Sequence, residues 1–518
     1  MLADDLAAAL AAADGQGLTA AQLARSLDSP EREVSFALLA SHGRFRRDRG
    51  SSARWSLASA SATGGRSPPS VALAAAAPGD ALQLYRWQAD ALHEWRRRGA
   101  RGVVEAVTGA GKTMVGVAAV LDELRRRGQA VVLVPTVELA HQWVAGLEPR
   151  LPAGRVGRMG AGGDDSLATH DVLVAVVNSA RSLDVRPIRQ GGLLVADECH
   201  RYGSANNRLA LDPRFRHRLG LSATYAREDD GNLTWLDPYF GGTCFRLGYA
   251  RAVAEGITAR FTVSLVGVVL GPDEQVRYHE LTDLMAALRA RLIHRHGVPA
   301  EPFEVFLRAV TALAEGDDDG SRAARLYRQA MRERRRLLAD TPAKDQALAR
   351  IAPAIGDADR AIVFTQSIAA SERASRTLAA SGLRAAVMHS GLVGAERRGV
   401  LARFAAGGLD VLSAPRVLDE GIDVPAADLA VIVGASRSRR QMVQRMGRVL
   451  RLKPDGRHAR FAVLFVEGTV EDPRSGAHEA FLGEVVGVAD EVACFTSEMV
   501  LRRPGAVLES LRPPAGSR

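Results

Sequence analysis

Lysine is nearly absent from this chain: of 68 basic residues only Lys112, Lys344 and Lys453 are lysine, and the rest are arginine. Cysteine is as scarce. Cys199, Cys244 and Cys494 lie far apart, which excludes a disulfide framework and a zinc cluster and suits a reducing cytoplasm. No run approaches the roughly 20 apolar residues of a membrane span. No basic stretch precedes an apolar one near Met1, so no signal peptide is expected. What is present is 518 residues, 47% of them hydrophobic. That length suffices for about three or four domains with real cores. A formal charge of +9 fits a polyanionic partner.

One of the rare lysines stands in the stretch Ala106-Val107-Thr108-Gly109-Ala110-Gly111-Lys112-Thr113. A short apolar run over 103–107 precedes it and reads as a buried parallel strand. A helical pattern follows, with Val117, Val120, Leu121 and Leu124 on one face and Gly128 as the stop. A strand, a small-residue loop and a helix N-terminus make an anion site, because converging N–H groups and the helix dipole both favour phosphate. In that geometry Thr108, Gly109, Ala110 and Gly111 cradle phosphates, Lys112 reaches the β- and γ-phosphates of ATP, and the Thr113 hydroxyl ligates Mg²⁺. Ala106 stands where the usual pattern begins with glycine. In a chain so strongly biased to arginine, a lysine at the one place that needs a compact point charge strengthens this reading.

The run Leu193-Leu194-Val195-Ala196 ends in Asp197, Glu198, Cys199 and His200. Two carboxylates at a strand end, downstream of a phosphate loop, have the geometry of a Walker B site. Asp197 would hold Mg²⁺ and Glu198 would polarise the attacking water.

Along the chain, residues 1–58 read as a separate unit. A capping box at Thr19 to Gln22 opens one helix, and Pro30 opens a second over 30–42. Two short strands flank a turn over 48–52. Helix–turn–helix plus a basic ribbon is winged-helix-like, offering helix 30–42 to a groove and Arg46, Arg47 and Arg49 to phosphates. Residues 59–80, rich in Ser, Ala, Gly and Pro, read as a flexible linker. Strands are expected at 102–107, 130–134, 171–177 and 192–196, and again at 361–364, 384–388, 409–412, 428–433 and 459–465. Helical patterns between them imply two doubly wound parallel sheets with ligands at the strands' C-terminal ends. The expected division is a first α/β domain over 81–262, a helical insertion over 263–350, a second α/β domain over 351–470 and a tail over 471–518. Within the insertion, Arg322, Arg325, Arg328, Arg332 and Arg334 to Arg336 form either a solvated face or a nucleic-acid surface.

From Asp197 to His200 the chain resembles the DExH box of superfamily 2 helicases, and further motifs of that superfamily follow in order across roughly 82–465. The stretch 219–224, with Ser222 and Thr224, resembles motif III, which links the ATP site to the nucleic-acid site. Arg227, Glu228 and Asp229 form a triplet found in XPB-type helicases. Thr365 and Gln366 resemble motif IV, residues 419–425 motif V with Gly421 and Asp423 at the nucleotide, and residues 441–451 motif VI. The resemblance implies two tandem RecA-like domains, an ATP- and Mg²⁺-dependent activity, and a cleft whose catalytic arginines come from the second lobe. Arg448 and Arg451, three apart on an expected helix, share a face and stabilise the leaving phosphate when the lobes close. Gln444 positions water or the γ-phosphate. Upstream, Gln88 suits an adenine edge, assisted by Arg86. Turns after strands, at Pro135 and Thr136, at Ser179 and at His389, Ser390 and Gly391, would hold a nucleic-acid backbone. Two departures stand out: motif V opens Ser413-Ala414 where Ser-Thr is usual, and a winged-helix-like unit replaces the family's damage-recognition-like domain.

The resulting expectation is an ATP-dependent helicase or translocase acting on DNA rather than RNA, with 3′→5′ polarity implied by the resemblance. It would be a monomer or transient assembly, with protein partners meeting 1–58 or the tail. The rival readings are a duplex translocase that never separates strands, a winged-helix binding protein with an inactive ATPase fold, and the motor of a repair or restriction complex.

Overall fold

Strands that are apolar on both faces need a layer on each side, and this chain builds two such sheets. The computed structural model describes residues 2–13, 17–40, 45–47, 54–57, 82–160, 162–182, 188, 191–227, 229–389, 391–415, 427–434, 447, 449–453, 455–475, 485 and 487–512. The expected linker 59–80 lies outside the described residues.

The N-terminal unit holds α1 (Leu2–Ala11), β1 (Leu18–Thr19), α2 (Ala20–Ser26), α3 (Glu31–Ala40), β2 (Phe45–Arg47) and β3 (Arg54–Leu57). Its strands form an antiparallel sheet in the order β1-β3-β2. The capping box is present: Thr19 Oγ1 accepts from the Gln22 N–H, and Gln22 Oε1 accepts from the Thr19 N–H. The helix expected to enter a groove, α3, packs instead against the far lobe, at β18 (introduced below) and the turn Pro473–Ser475.

The first lobe runs through α4 (Arg86–Arg97), β4 (Arg101–Ala106), α5 (Lys112–Arg125), β5 (Ala130–Val134), α6 (Val137–Leu147), β6 (Val156–Gly160), β7 (Gly163–Asp164), β8 (Val172–Val176), α7 (Val177–Ala180), β9 (Leu193–Ala196), β10 (His217–Ser222), α8 (Asp237–Phe240), β11 (Thr243–Leu247) and α9 (Tyr249–Ala254). The strand order is β11-β4-β10-β9-β5-β8-β6-β7, parallel except for β7. Because β4, β10 and β9 are neighbours, the segments leaving their C-terminal ends meet at one place. These are the phosphate loop, the Ser222 turn and the Asp197–Glu198 pair.

The second lobe starts earlier than its sequence suggests. β12 (Phe261–Val268) leads into α10 (Pro272–His296), α11 (Phe303–Leu313), α12 (Asp319–Asp340) and α13 (Pro342–Gly356). Then come β13 (Ala361–Thr365), α14 (Ile368–Ala380), β14 (Ala385–Val387), α15 (Gly394–Ala405), β15 (Val411–Pro415), β16 (Leu429–Ile432), β17 (Ala459–Val466), β18 (Glu491–Phe495), α16 (Ser497–Arg502) and α17 (Pro504–Ser510). All seven strands are parallel, in the order β14-β15-β13-β16-β17-β12-β18. β12 lies between β17 and β18 and pairs with β17 along its whole length. The expected division at 262/263 therefore cuts a strand of the second sheet. The stretch 471–518 is likewise no loose tail: β18 completes the sheet, and Val500, Val507 and Leu511 join its core. Around the insertion, α12 buries Ala323, Ala324, Tyr327 and Ala330 against its neighbours, while Arg322, Arg325, Arg332, Arg335 and Arg336 are exposed. Exposure of the arginine run fits both a solvated face and a nucleic-acid surface.

Candidate active site

The loop after β4 turns sharply through Gly109 and Gly111, both in the left-handed region at φ +83° and +87°, where a side chain is strained. α5 begins at Lys112, so its first N–H groups and Thr113 face the same loop. Lys112 Nζ donates to the carbonyl oxygens of Ala106 at 2.9 Å and Val107 at 3.4 Å. Burial lowers its ammonium pKa, against the pull of Glu198 and Asp197. Gln88, expected at an adenine edge, has a different task here. Its Nε2 donates to Gly111 O at 2.9 Å and its Oε1 accepts the Tyr85 N–H at 2.8 Å, so the buried amide ties the loop to the start of α4. Arg86, beside it, is exposed.

Asp197 is buried at the end of β9. Its Oδ2 accepts the Trp143 indole N–H at 2.8 Å and its Oδ1 the Glu198 N–H at 3.0 Å. Burial raises its pKa despite these donors and Lys112. Glu198 takes the left-handed conformation at φ +47°, rare outside glycine. That twist turns two consecutive carboxylates, which a regular strand would point to opposite faces, toward one end of the sheet. Glu198 Oε2 lies 3.5 Å from His200 Nδ1.

From His200 a hydrogen-bonded path leaves the nucleotide side. His200 Nδ1 lies 2.9 Å from Ser222 Oγ, and Ser222 Oγ donates to Thr224 O at 2.8 Å. The His200 carbonyl accepts from Arg227 Nη1, and Arg227 grips Asp229 through both carboxylate oxygens. DExH box, motif III and the triplet are thus joined by contact; Glu228, its middle residue, lies outside the described residues.

The second lobe meets this half-site at the loop itself. A Cβ added to Gly109 would meet Gly447 O at 3.2 Å and Arg451 Cγ at 3.3 Å, and a Cβ on Gly447 would overlap Thr108 Cβ. Among the described residues, the buried Thr108 hydroxyl has no hydrogen-bond partner. Arg451 is tied by a strand-like bridge to Thr258, and Leu450 O accepts the Ala259 N–H at 2.8 Å. Gln444, Arg448, Gly421 and Asp423 lie outside the described residues.

The expected nucleic-acid residues divide. Thr365 is buried, and its hydroxyl bonds Ser371 Oγ at 2.6 Å and Ser367 O at 3.1 Å, so it holds α14 rather than a strand of nucleic acid. Thr136 Oγ1 accepts from the Leu139 N–H at 3.3 Å and caps α6. Pro135, Ser179, Gln366 and His389 are partly exposed and Gly391 is exposed; Ser390 lies outside the described residues. Two residues were missed. Trp143 aims Asp197 from the apolar face of α6, where nothing in sequence separates it from core. Glu105 is buried, pairs Arg246 at 2.8 Å and accepts the Tyr225 N–H at 3.3 Å. A carboxylate inside a valine-rich strand was its visible signal.

Two family models match the chain: "Type III restriction enzyme, res subunit" over residues 81–227 and "Helicase conserved C-terminal domain" over 343–453. The chain is 29% identical over 380 residues to "DNA 3'-5' translocase XPB2" of Sulfurisphaera tokodaii, covering 72% of this chain and 80% of that protein. It is 31% identical over 397 residues to "Putative DNA 3'-5' helicase Rad25" of Halobacterium salinarum, covering 76% of this chain and 55% of that one. Among solved structures, "S. cerevisiae Dbp5 bound to RNA and ADP BeF3" aligns with a TM-score of 0.52 at 14% identity, over 82% of this chain and 93% of that one, a likeness of fold.

Proposed function

We infer the function from one premise: this chain belongs to the superfamily 2 helicases and is XPB-like among them. It is an ATP-hydrolysing DNA helicase or translocase of 3′→5′ polarity. The observation that carries the mechanism is the seating of Gly447 and Arg451 against the Thr108–Gly109 loop, which brings the two lobes together over the phosphate site.

ATP lies in that cleft. Lys112 leaves the Ala106 and Val107 carbonyls for the β- and γ-phosphates, whose charge offsets the burial that now lowers its pKa. Glu198 orients the attacking water, and Arg451 with Arg448 stabilises charge on the leaving phosphate when the lobes close. Among the described residues no cluster of His, Cys, Asp or Glu holds a metal unaided. A Mg²⁺ shared with a nucleotide asks for less, and one hydroxyl and one carboxylate, Thr113 and Asp197, suit its hard-oxygen preference. When bound there, Mg²⁺ would supply positive charge against the phosphates. Hydrolysis is then conditional on closure, and the path from His200 through Ser222 and Arg227 carries the state of the site toward DNA lying across both lobes. The three free, buried thiols accord with the reducing compartment proposed here.

The test is ATP hydrolysis with single-stranded, duplex and forked DNA and with RNA, alongside displacement from 3′- and 5′-tailed duplexes. Stimulation by DNA and displacement from 3′ tails are expected. Stimulation by RNA alone, or release of 5′-tailed duplexes alone, would overturn the reading. The word "translocase" in the name of the Sulfurisphaera relative favours a second outcome, duplex-stimulated hydrolysis without strand separation.

A further inference from the structure

Beyond the triplet, the first lobe carries a surface that the ATP cycle does not use. Leu233 is 76% exposed at the crown of a π-helical turn, Asn232–Leu236, and Leu209 is 57% exposed on the 3₁₀ turn Asn207–Ala210. Between them the Arg208 guanidinium lies 4.0 Å over the Trp235 ring. Two exposed leucines flanking an arginine–tryptophan stack form an apolar platform that water solvates poorly. Single π turns of this kind occur frequently at functional sites.

The platform is fixed on both sides. Arg181 Nη2 donates to Asn207 Oδ1 at 2.6 Å, joining the 3₁₀ turn to the end of α7 and so to the Ser179 turn. On the other side, Asp229, held by Arg227, accepts the Gly231 N–H at 3.1 Å, and Asn232 Nδ2 donates to Tyr225 O at 2.9 Å. The crown therefore grows directly out of the path that begins at His200. Among the described residues, arginines gather on the 3₁₀ side, where Arg181 and Arg201 are exposed beside Arg208, while on the crown side Asp229 is paired with Arg227 and Asp230 is exposed.

We propose that Trp235, Arg208, Leu209 and Leu233 form a base-stacking platform for single-stranded nucleic acid passing the Ser179 turn. A ring, a guanidinium plane and apolar tips accept any base face without reading sequence, and the flanking arginines follow the phosphates. A protein partner would also cover apolar surface, but the cationic rim and the continuity with the Ser179 turn favour a polyanion. The proposal rests on the helicase reading and is tested apart from it.

The experiment uses the full chain with an oligonucleotide carrying 2-aminopurine, whose emission falls on stacking. Trp235→Ala is expected to remove most of the quench. It should also raise the DNA concentration for half-maximal ATPase stimulation about tenfold, with kcat at saturating DNA within about twofold. Leu233→Ala, at so exposed a site, leaves the fold intact and should weaken half-saturation about threefold. Unchanged quench and half-saturation in both variants would overturn the platform and leave the surface to a protein. If the wild type shows no DNA stimulation, the helicase reading fails, while the quench still decides the platform.

Discussion

In the first lobe, Asp197 at the end of β9 is held by neutral donors, an indole and a backbone N–H, while Glu105 in β4 pairs with Arg246 and accepts the Tyr225 N–H. In the second lobe two buried acids are neutralised on the spot. Arg460 grips Asp428 and also donates to Leu511 O at 2.6 Å, while Lys344 lies 2.6 Å from Glu471, all four buried. These pairs bind β17 to β16 and to the end of α17, and α13 to the segment after β17. The same sheet architecture thus serves two purposes. A carboxylate held by neutral donors suits a site for phosphate or metal, and charge cancelled internally suits a structural cross-link.

The sharpest way to break this contrast is at Glu198. Glu198→Gln should lower ATP turnover about a thousandfold with the melting temperature nearly unchanged, measured by phosphate release and thermal unfolding; normal turnover would remove Glu198 from the chemistry. Lys344→Ala should do the reverse. It leaves Glu471 buried and unpaired and should reduce stability by about 3–5 kcal/mol in urea titrations, while turnover far below the melting point persists. Lys344→Met with Glu471→Leu should recover much of that loss, and a lasting deficit in the pair would show the charges do more than cancel. Between the lobes, Gly447→Ala places a methyl group against Thr108 and should slow turnover about a hundredfold, with nucleotide affinity much less changed. Full activity would mean that the lobes do not meet there during the cycle.

The smallest effect concerns Lys453, whose Nζ donates to Val449 O at 3.0 Å. Burial brings its pKa down to about 8. Between that value and the ordinary one the unfolded chain binds the extra proton, so stability due to this group rises with pH from about 8 to about 10.4. Relative to Lys453→Met, the wild type should gain about 3 kcal/mol across that window in melts at matched ionic strength. A constant difference would place the amine in water.

Where chemistry and local pattern coincide, the sequence was readable. The phosphate loop and the Asp197–Glu198 pair lie where β4 and β9 end, because a parallel strand announces itself by a continuous apolar run and its ligand site follows directly. The elements that failed depend on distant partners. β12 was read as the edge of an insertion, since nothing in residues 261–268 reveals that its neighbours are β17 and β18, about two hundred residues onward. β10 hides behind Arg218, a charge that strands rarely bury. Three carbonyls, of Pro213, Phe215 and Tyr239, satisfy it in place. Thr365 and Gln88 had the right atoms for ligands, but their hydrogen-bonding groups are engaged within the chain, a fact that spacing cannot convey.

The scarcity of lysine acquires a practical meaning once each amine is located. Lys344 is sealed away, and Lys453 donates beside the segment that seats against the phosphate loop. Lys112 rests on two carbonyls at the mouth of the cleft. An acylating reagent aimed at side-chain amines thus finds no ordinary surface target on this protein. Its uptake at Lys112 would chart the filling of the cleft, with nucleotide shielding that amine, while Lys453 would report on its own burial in the second lobe.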